Sequence, residues 1–391
     1  MPKEKSDTTD FIPYGRQSIS NSDIDAVLSS LKSDMITQGP AISIFEDNFI
    51  KNVEADFGCA VCNASAGLHL AYKAVGVQRG DVVWTSPNTF VATANAALYE
   101  GATVDFVDTD PDTFCMSVSA LKAKLEKAKK NGGLPKLVVP VHLAGQPCEM
   151  EEIYNLSKQY GFKIVEDASH AVGARYQNKP IGSCQYSDAC VFSFHPVKII
   201  TTGEGGMVTT RDKNIAEYIK MGRTHGITKE RALMNTDAPE PWFYEQHFLG
   251  YNFRMTDIQA ALGNSQLKNL EANIQRRKQI ASRYQDAFSD LPLGLQKPLQ
   301  NASSSWHLFI VMFDNSSLRR KAFDKLQENN IGTQVHYIPV HMQPYYVQQG
   351  FKEGDFPEAE DYYSRCLSLP MFHGLTDQEQ DRVIQTIKKV F

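Results

Sequence analysis

The sequence predicts an α/β protein: a mainly parallel, seven-stranded sheet with helices on both faces, followed by a smaller α+β unit. Three observations carry this. Seven short β-rich runs alternate with helical patterns from residue 16 to about residue 265, and such alternation needs crossover connections. One long, charge-mixed helical pattern then runs from Asp257 to about Ser289. After Leu291 the pattern changes to two β-rich runs and two helical ones. The chain has 391 residues, and roughly 100–200 residues per domain gives two or three units.

In chain order, residues 1–15 read as an arm. Residues 16–265 form the large domain. Its β-rich runs are Ala60–Cys62, Val82–Ser86, Thr103–Asp108, Lys136–His142, Lys163–Glu166, Ala189–Phe194 and Gly206–Thr210. Ser117–Lys130 and Met150–Tyr160 are helical patterns between them. Residues 266–290 read as a connecting helix, continuous with the pattern that begins at Asp257. Residues 291–391 form the small domain. It holds β-rich runs at Trp306–Phe313 and Thr333–Tyr337 and helical patterns at Leu318–Asn329 and Asp377–Val390.

Composition excludes several classes. Hydrophobic residues are 42% and charged residues 22%, which is the mix of a globular protein and not of a disordered chain. Lys and Arg number 40 against 45 Asp and Glu, so no basic footprint points to nucleic acid. No apolar run approaches the roughly 20 residues of a membrane span, and Met1–Asp10 lacks the apolar core of a secretory signal. The odd count of 7 cysteines suits a reducing, cytoplasmic compartment. Cys59 and Cys62 form an isolated C-x-x-C in an apolar stretch, which reads as a buried strand and not as a metal site. Asn63-Ala64-Ser65 is formally a glycosylation sequon, with no secretory signal to bring it into use.

Several signatures of chemistry are missing. There is no P-loop, no H-E-x-x-H and no G-x-S-x-G. Gly203-Glu204-Gly205-Gly206 starts like a dinucleotide fingerprint but precedes a strand instead of following one.

Three features remain. The run Phe162–Val165 leads into Glu166 and Asp167, placing an acid where open α/β sheets bind ligands. Alone, Asp167 also fits a helix cap or a structural ion pair. The run Val191–Phe194 leads through His195 and Pro196 to Lys198, among apolar and small residues where burial lowers an amine's pKa. Most lysines are solvated surface charges, so this alone decides nothing. Asn63-Ala64-Ser65-Ala66 passes from a strand into a helical pattern. Free amides and the Ser65 hydroxyl there make a phosphate site or a plain N-cap. Taken together, an amine, a carboxylate and a phosphate cup suit pyridoxal 5'-phosphate. The lysine would bind it as an imine, the acid would hold the ring nitrogen protonated and the cup would hold the phosphate.

At these residues the chain resembles the DegT/DnrJ/EryC1/StrS group of sugar aminotransferases, which have the fold type I architecture of aspartate aminotransferase. The resemblance runs from about Tyr14 to the C-terminus. It is carried by Glu166–Ala174 (EDASHAVGA), Phe192–Gly206 (FSFHPVKIITTGEGG) and Gly250–Asp257 (GYNFRMTD). It implies that Lys198 is the catalytic lysine, which binds the cofactor and shuttles the proton. Asp167 would pair with the pyridine nitrogen. His170, where many relatives have Gln, would lie near the ring hydroxyl, and Phe90 would stack on the ring or simply pack in the core. Ser193, Ser65 and the backbone of Ala64 and Ala66 would hold the phosphate. Asn252 would reach that phosphate from the other subunit of a homodimer.

One subgroup fits best, the aminotransferases of pseudaminic acid biosynthesis. They move the amino group of L-glutamate to a UDP-linked 4-keto-6-deoxy amino sugar. The similar stretches are Ser33–Gly39, Asp167–Ala171, Gln334–Pro339 and Tyr362–Pro370. This likeness implies substrate contacts from Tyr14, Asp34, Met35, Ile36, Thr37, Asn252, Gln334, Val335, His336 and Tyr337, and no metal. There is one departure. Members of the subgroup read Asn-Ser-Ala-Thr-Ser-Ala-Leu at the phosphate cup. Here it is Asn63-Ala64-Ser65-Ala66-Gly67-Leu68, one residue shorter, and Gly67 lowers helix propensity in the first turn. Other readings stay open: a different nucleotide sugar, a sugar 3-dehydratase (those relatives carry His in place of Lys198) or a silent cofactor-binding protein.

Overall fold

A computed structural model describes residues 11–237 and 240–391. Residues 1–10 of the expected arm lie outside the described residues. The main sheet has seven strands: β1 Phe57–Val61, β2 Val82–Thr85, β3 Thr103–Phe106, β4 Leu137–Val139, β5 Lys163–Asp167, β6 Ala189–Ser193 and β7 Gly206–Thr210. Their spatial order is β1-β7-β6-β5-β4-β2-β3. The pairings among β6, β5, β4, β2 and β3 are parallel. β7 runs antiparallel to both β1 and β6.

The strands are nearly continuous apolar runs because helices cover both faces. Alternate residues feed two cores, as the pleat requires. Trp84, Val138, Ile164, Cys190 and Phe192 join one of them with Phe45 and Phe49. Val83, Val139, Val165, Val191 and Val208 join the other with Leu68 and Phe106.

Register at β7 sets up the site. Gly206 lies opposite Val61 in β1 and opposite Ser193 in β6. A Cβ at Gly206 would stand 2.8 Å from the Ala64 backbone nitrogen. The absent side chain therefore lets β7 lie directly against the start of α3 (Ala64–Ala74). Gly67, inside α3, has a related role. A Cβ there would meet Val191 at 2.9 Å, Val208 at 3.2 Å and Val61 at 3.3 Å. Its cost in helix propensity is offset by close helix-on-sheet packing.

The helical pattern from Asp257 is two helices and not one. The first is Asp257–Leu267 and the second Leu270–Phe288. The chain tightens at the join into i→i+3 bonds, from Lys268 N to Ser265 O at 3.2 Å and from Asn269 N to Gln266 O at 3.1 Å. The longer helix buries Ile280, Tyr284 and Phe288 in a third core, against Phe309, Val311, Leu367 and Leu369. These last residues belong to a three-stranded antiparallel sheet of Gly294–Leu295, Phe309–Met312 and Cys366–Leu369.

Thr333–Tyr337 is not a strand. It makes one isolated bridge, Gln334 to Ser368, and then turns away toward the main sheet. Side chains explain the departure. The Thr333 hydroxyl donates to Ser368 O at 2.7 Å, and His336 Nδ1 bonds the Ser368 hydroxyl at 2.8 Å. Pairing to the strand is thus replaced by bonds to a single residue.

Gly67→Ala separates two effects. Helix propensity alone favours alanine by about 1 kcal/mol, while overpacking costs about 1–3 kcal/mol. Contact with three branched valines makes the packing term the larger, so urea denaturation should show a net loss of about 1 kcal/mol. A gain in stability would contradict the packing account.

Candidate active site

Parallel strands β2, β4, β5 and β6 end at one edge of the sheet, and a cavity of about 700 Å³ opens there. Its walls include Tyr14, Ala64, Ser65, Phe90, Asp167, His170, Ser193, Lys198 and Gln334 to Tyr337. The sheet thus brings together residues far apart in sequence at the place open α/β sheets use for ligands.

Asp167 is the last residue of β5 and is buried. Its Oδ2 accepts from the Thr93 hydroxyl at 2.7 Å, and its Oδ1 accepts from Ser169 N at 3.1 Å. The Thr93 hydroxyl has a single hydrogen, and the short bond to a carboxylate takes it. The Thr89 hydroxyl, 2.7 Å from Thr93 Oγ1, is then the donor of that pair. Sequence reasoning missed both threonines. The available signal was a threonine in the otherwise alanine-rich helix Val91–Tyr99.

Lys198 follows β6 in a turn closed by its own backbone N–H on His195 O at 2.9 Å. Its side chain is half-buried on the cavity wall. Burial pushes the ammonium down to about 8, and the Asp167 charge works in the opposite direction. An amine in that range is available as a base near neutral pH.

The helix start that the sequence singled out as a phosphate site lies on the cavity wall, apart from Ala66. Asn63 caps α3, and its side chain accepts from Ala66 N at 2.9 Å. The Ala66 N–H is therefore taken, and Ala66 is buried away from the cavity. Ala64 and Ser65 remain on the cavity wall with their first-turn amides and the Ser65 hydroxyl. Ser193 lies beside them across Gly206. Phe90 caps the helix that follows it and is 59% exposed, so it faces the cavity instead of packing in the core.

His170, His307 and His336 form a buried cluster beside Lys198. The His170 and His307 ring centroids are 4.4 Å apart. Burial, reinforced by the nearby Lys198 charge, lowers all three, His336 to about 3. Elsewhere, buried His142 and His341 each bond a glutamate at 2.8 Å. The cavity histidines have no carboxylate partner among the described residues and so stay neutral. His307 was not foreseen from sequence.

Besides Ala66, five expected residues are not on this cavity. Asp34, Met35, Ile36 and Thr37 are exposed in a segment tied to the start of the helix Asp257–Leu267, where Asp257 N donates to Ile36 O at 3.0 Å. Asn252 is exposed and bridges to Thr224. Both segments border a smaller recess of about 200 Å³ lined by Gln38, Gly39, Arg223, Thr224 and Arg254. They therefore group with each other and apart from Lys198.

The donor set of the main cavity fits pyridoxal phosphate. Helix-start amides and hydroxyls sit near an amine of lowered pKa, and a buried carboxylate with no ion pair among the described residues lies at the base. Among the described residues no helix is long and apolar enough to cross a membrane.

Comparison with known proteins agrees with this geometry. The chain belongs to the DegT/DnrJ/EryC1/StrS aminotransferase family, whose profile matches residues 17–388. It is 40% identical over 387 residues to the spore coat polysaccharide biosynthesis protein SpsC of Bacillus subtilis, covering 97% of each chain. It is 38% identical over 363 residues to the UDP-4-amino-4,6-dideoxy-N-acetyl-beta-L-altrosamine transaminase of Campylobacter jejuni, covering 92% of each. Among solved structures it is similar to Helicobacter pylori PseC, an aminotransferase involved in the biosynthesis of pseudoaminic acid. That TM-score is 0.89 at 31% identity, over 97% of this chain and 99% of that one. It is also similar to the sugar aminotransferase Spr1654 of Streptococcus pneumoniae in its PLP form. There the TM-score is 0.87 at 28% identity, over 97% and 98%.

The buried amine has a cost visible in stability. Lys198 is depressed in the folded chain, so between about 8 and its ordinary 10.5 the unfolded chain binds more protons. Stability therefore rises with pH through that window. Lys198→Met should stabilise cofactor-free protein at pH 7 by about 2 kcal/mol, allowing for partial exposure. The difference should shrink toward pH 10.5. Urea melts across that range check both the sign and the window.

Proposed function

We propose that this chain transfers the amino group of L-glutamate to the C4 ketone of UDP-2-acetamido-2,6-dideoxy-β-L-arabino-hex-4-ulose. The products are UDP-4-amino-4,6-dideoxy-N-acetyl-β-L-altrosamine and 2-oxoglutarate. The observation that carries the aminotransferase reading is the half-buried Lys198 amine of lowered pKa, with Asp167 and the α3 amides on the walls of the same cavity. The choice of sugar rests on 38% identity to the altrosamine transaminase and on likeness to PseC.

Bound pyridoxal phosphate supplies an electron sink for negative charge at the carbon that exchanges nitrogen. The rest is the work of this chain. Ala64 and Ser65 amides, with the Ser65 and Ser193 hydroxyls, hold the phosphate at the helix start. Asp167 would hold a proton on the ring nitrogen, and the bonds from the Thr93 hydroxyl and the Ser169 amide keep that carboxylate aimed. Phe90 covers one face of the ring. Lys198, uncharged above about 8, removes the α-proton of glutamate in the first half and delivers a proton to C4 of the sugar in the second. A positioned general base contributes about 10²–10⁴-fold, and proximity adds more.

Tyr14 and the stretch Gln334 to Tyr337 form the cavity wall that faces the sugar. Asp34 to Thr37 and Asn252 lie outside the cavity of their own chain, which suits a homodimer in which they serve the partner's site. A second reading is amination of a different nucleotide-linked keto sugar. The 40% identity to SpsC, a polysaccharide protein of no stated substrate, favours keeping it.

Spectroscopy of the cofactor-loaded protein tests this. L-glutamate should bleach the visible absorbance of the bound cofactor, and the UDP-4-keto sugar should restore it with formation of the amino sugar. Lys198→Ala should abolish turnover, a loss of at least 10²-fold. Substantial transfer by that variant would remove Lys198 from its role. Bleaching by glutamate that only another nucleotide's keto sugar reverses would select the second reading.

A further inference from the structure

The loop after β4 places a strained residue against His170. Ala144 has φ 61° and ψ 6°, a left-handed conformation that is unfavourable for a residue with a side chain. Next to it Gly145 has φ 92° and no room for a Cβ beside Ser305 and His170 O. The conformation is held from outside. Ala144 O accepts from His307 N at 2.8 Å, Gly145 O accepts from Ser305 N at 3.1 Å, and the Ser305 hydroxyl donates to His170 O at 2.9 Å. One result is that the Ala144 N–H is directed at His170 Nδ1, 3.3 Å away.

That bond decides the chemistry of His170. A nitrogen that accepts carries no hydrogen, so in a neutral imidazole the hydrogen sits on Nε2. His170 Nε2 lies 3.1 Å from the Tyr337 hydroxyl oxygen. The network therefore assigns Nε2–H as donor and the tyrosine oxygen as acceptor. The tyrosine's own hydrogen is left over. Tyr337 has no other hydrogen-bond partner among the described residues and stands on the cavity wall. Burial, with the Asp167 charge, holds its hydroxyl well above the ordinary range, so it stays protonated. The His307 ring, 4.4 Å from that of His170, packs against it and opposes a flip.

We propose that Tyr337 is the cavity's directed hydrogen-bond donor, aimed at an oxygen acceptor bound over Lys198, and that Ala144 and His170 are positioning residues that fix its polarity. This rests on the aminotransferase reading for the identity of the acceptor. The shared chemistry is a carbonyl or phenolate oxygen, from the keto substrate or from the cofactor ring.

Nitrogen NMR of histidine-labelled, cofactor-loaded protein reads the polarity without turnover. The His170 signal, assigned by its loss in His170→Gln, should show the neutral Nε2–H tautomer. An Nδ1–H tautomer or a charged ring overturns the proposal, whether or not the protein transaminates. Half-reaction rates then locate the acceptor. Tyr337→Phe should slow transfer at least tenfold, in the sugar half alone for a substrate carbonyl and in both halves for a cofactor oxygen. His170→Gln should lose at least tenfold less than His170→Leu. Full rates in both halves for Tyr337→Phe, or equal losses for the two His170 variants, also overturn it. If the labelled wild type shows the expected tautomer but glutamate never bleaches the cofactor, the functional reading fails and the polarity stands.

Discussion

A carboxylate buried at the end of a central strand is the constraint around which this site is arranged. Asp167 accepts one hydroxyl and one amide hydrogen and has no ion pair among the described residues. A buried charge left without a counter-ion is expensive. The fold tolerates it by surrounding it with aimed dipoles, and a cationic ring nitrogen in the cavity would complete it. The same charge raises the proton affinity of Lys198 while burial lowers it, and burial prevails. One carboxylate thus attracts a cationic group while the Lys198 amine on the wall stays ready to lose its proton.

Holding these groups in register requires the C-terminal unit to sit firmly on the sheet. Arg277, buried in the helix Leu270–Phe288, donates to the carbonyls of Trp306, His307 and Met371 at 3.1–3.2 Å. It has no carboxylate partner among the described residues, and burial brings its pKa down to about 10. Three backbone carbonyls serve as its counter-charge. The segment of Trp306 and His307 also clamps Ala144 and Gly145 and carries His307 into the cavity. Domain packing and the hydrogen-bond pattern around His170 are therefore one structure.

The parts of this arrangement that rest on local pattern were legible in the sequence. The β-rich runs Lys163–Glu166 and Ala189–Phe194 fall within one residue of the strand ends Asp167 and Ser193, because strands buried on both faces read as nearly continuous apolar runs. The resemblance then supplied the residues that line the edge. What stayed hidden depends on long-range contact. Thr93 meets Asp167 across 74 positions and looks like any helix residue until the sheet is assembled. The left-handed Ala144 has no signature of its own, since glycine is the residue that usually marks such a turn. Thr333–Tyr337 read as a strand because it is rich in β-branched and aromatic residues. Its partner Ser368 takes its hydrogen bonds through side chains, and the run leaves the sheet after one bridge. The amide of Ala66 was lost to the cup for a local reason that could have been weighed: an asparagine at an N-cap takes the third amide for itself.

This division of labour bears on where sugar selectivity resides. In the function proposed above, Lys198, Asp167 and the α3 amides would perform the same chemistry on any keto sugar, so they would discriminate little among them. A difference in affinity has to come from groups that meet the sugar and its nucleotide. On this chain's own cavity those are Tyr14 and the stretch Gln334 to Tyr337. That stretch is anchored at one end by Ser368 and at the other by the Tyr362 hydroxyl on His336 O at 2.6 Å. It is rigid at its backbone and varied in its side chains, the combination that lets a binding wall change specificity without disturbing the site beneath it. Relatives that share the lower half of the cavity can therefore share a reaction while differing in the sugar they accept. In this fold, identity in the strand-end motifs argues for the chemistry, and identity in Gln334 to Tyr337 argues for the substrate.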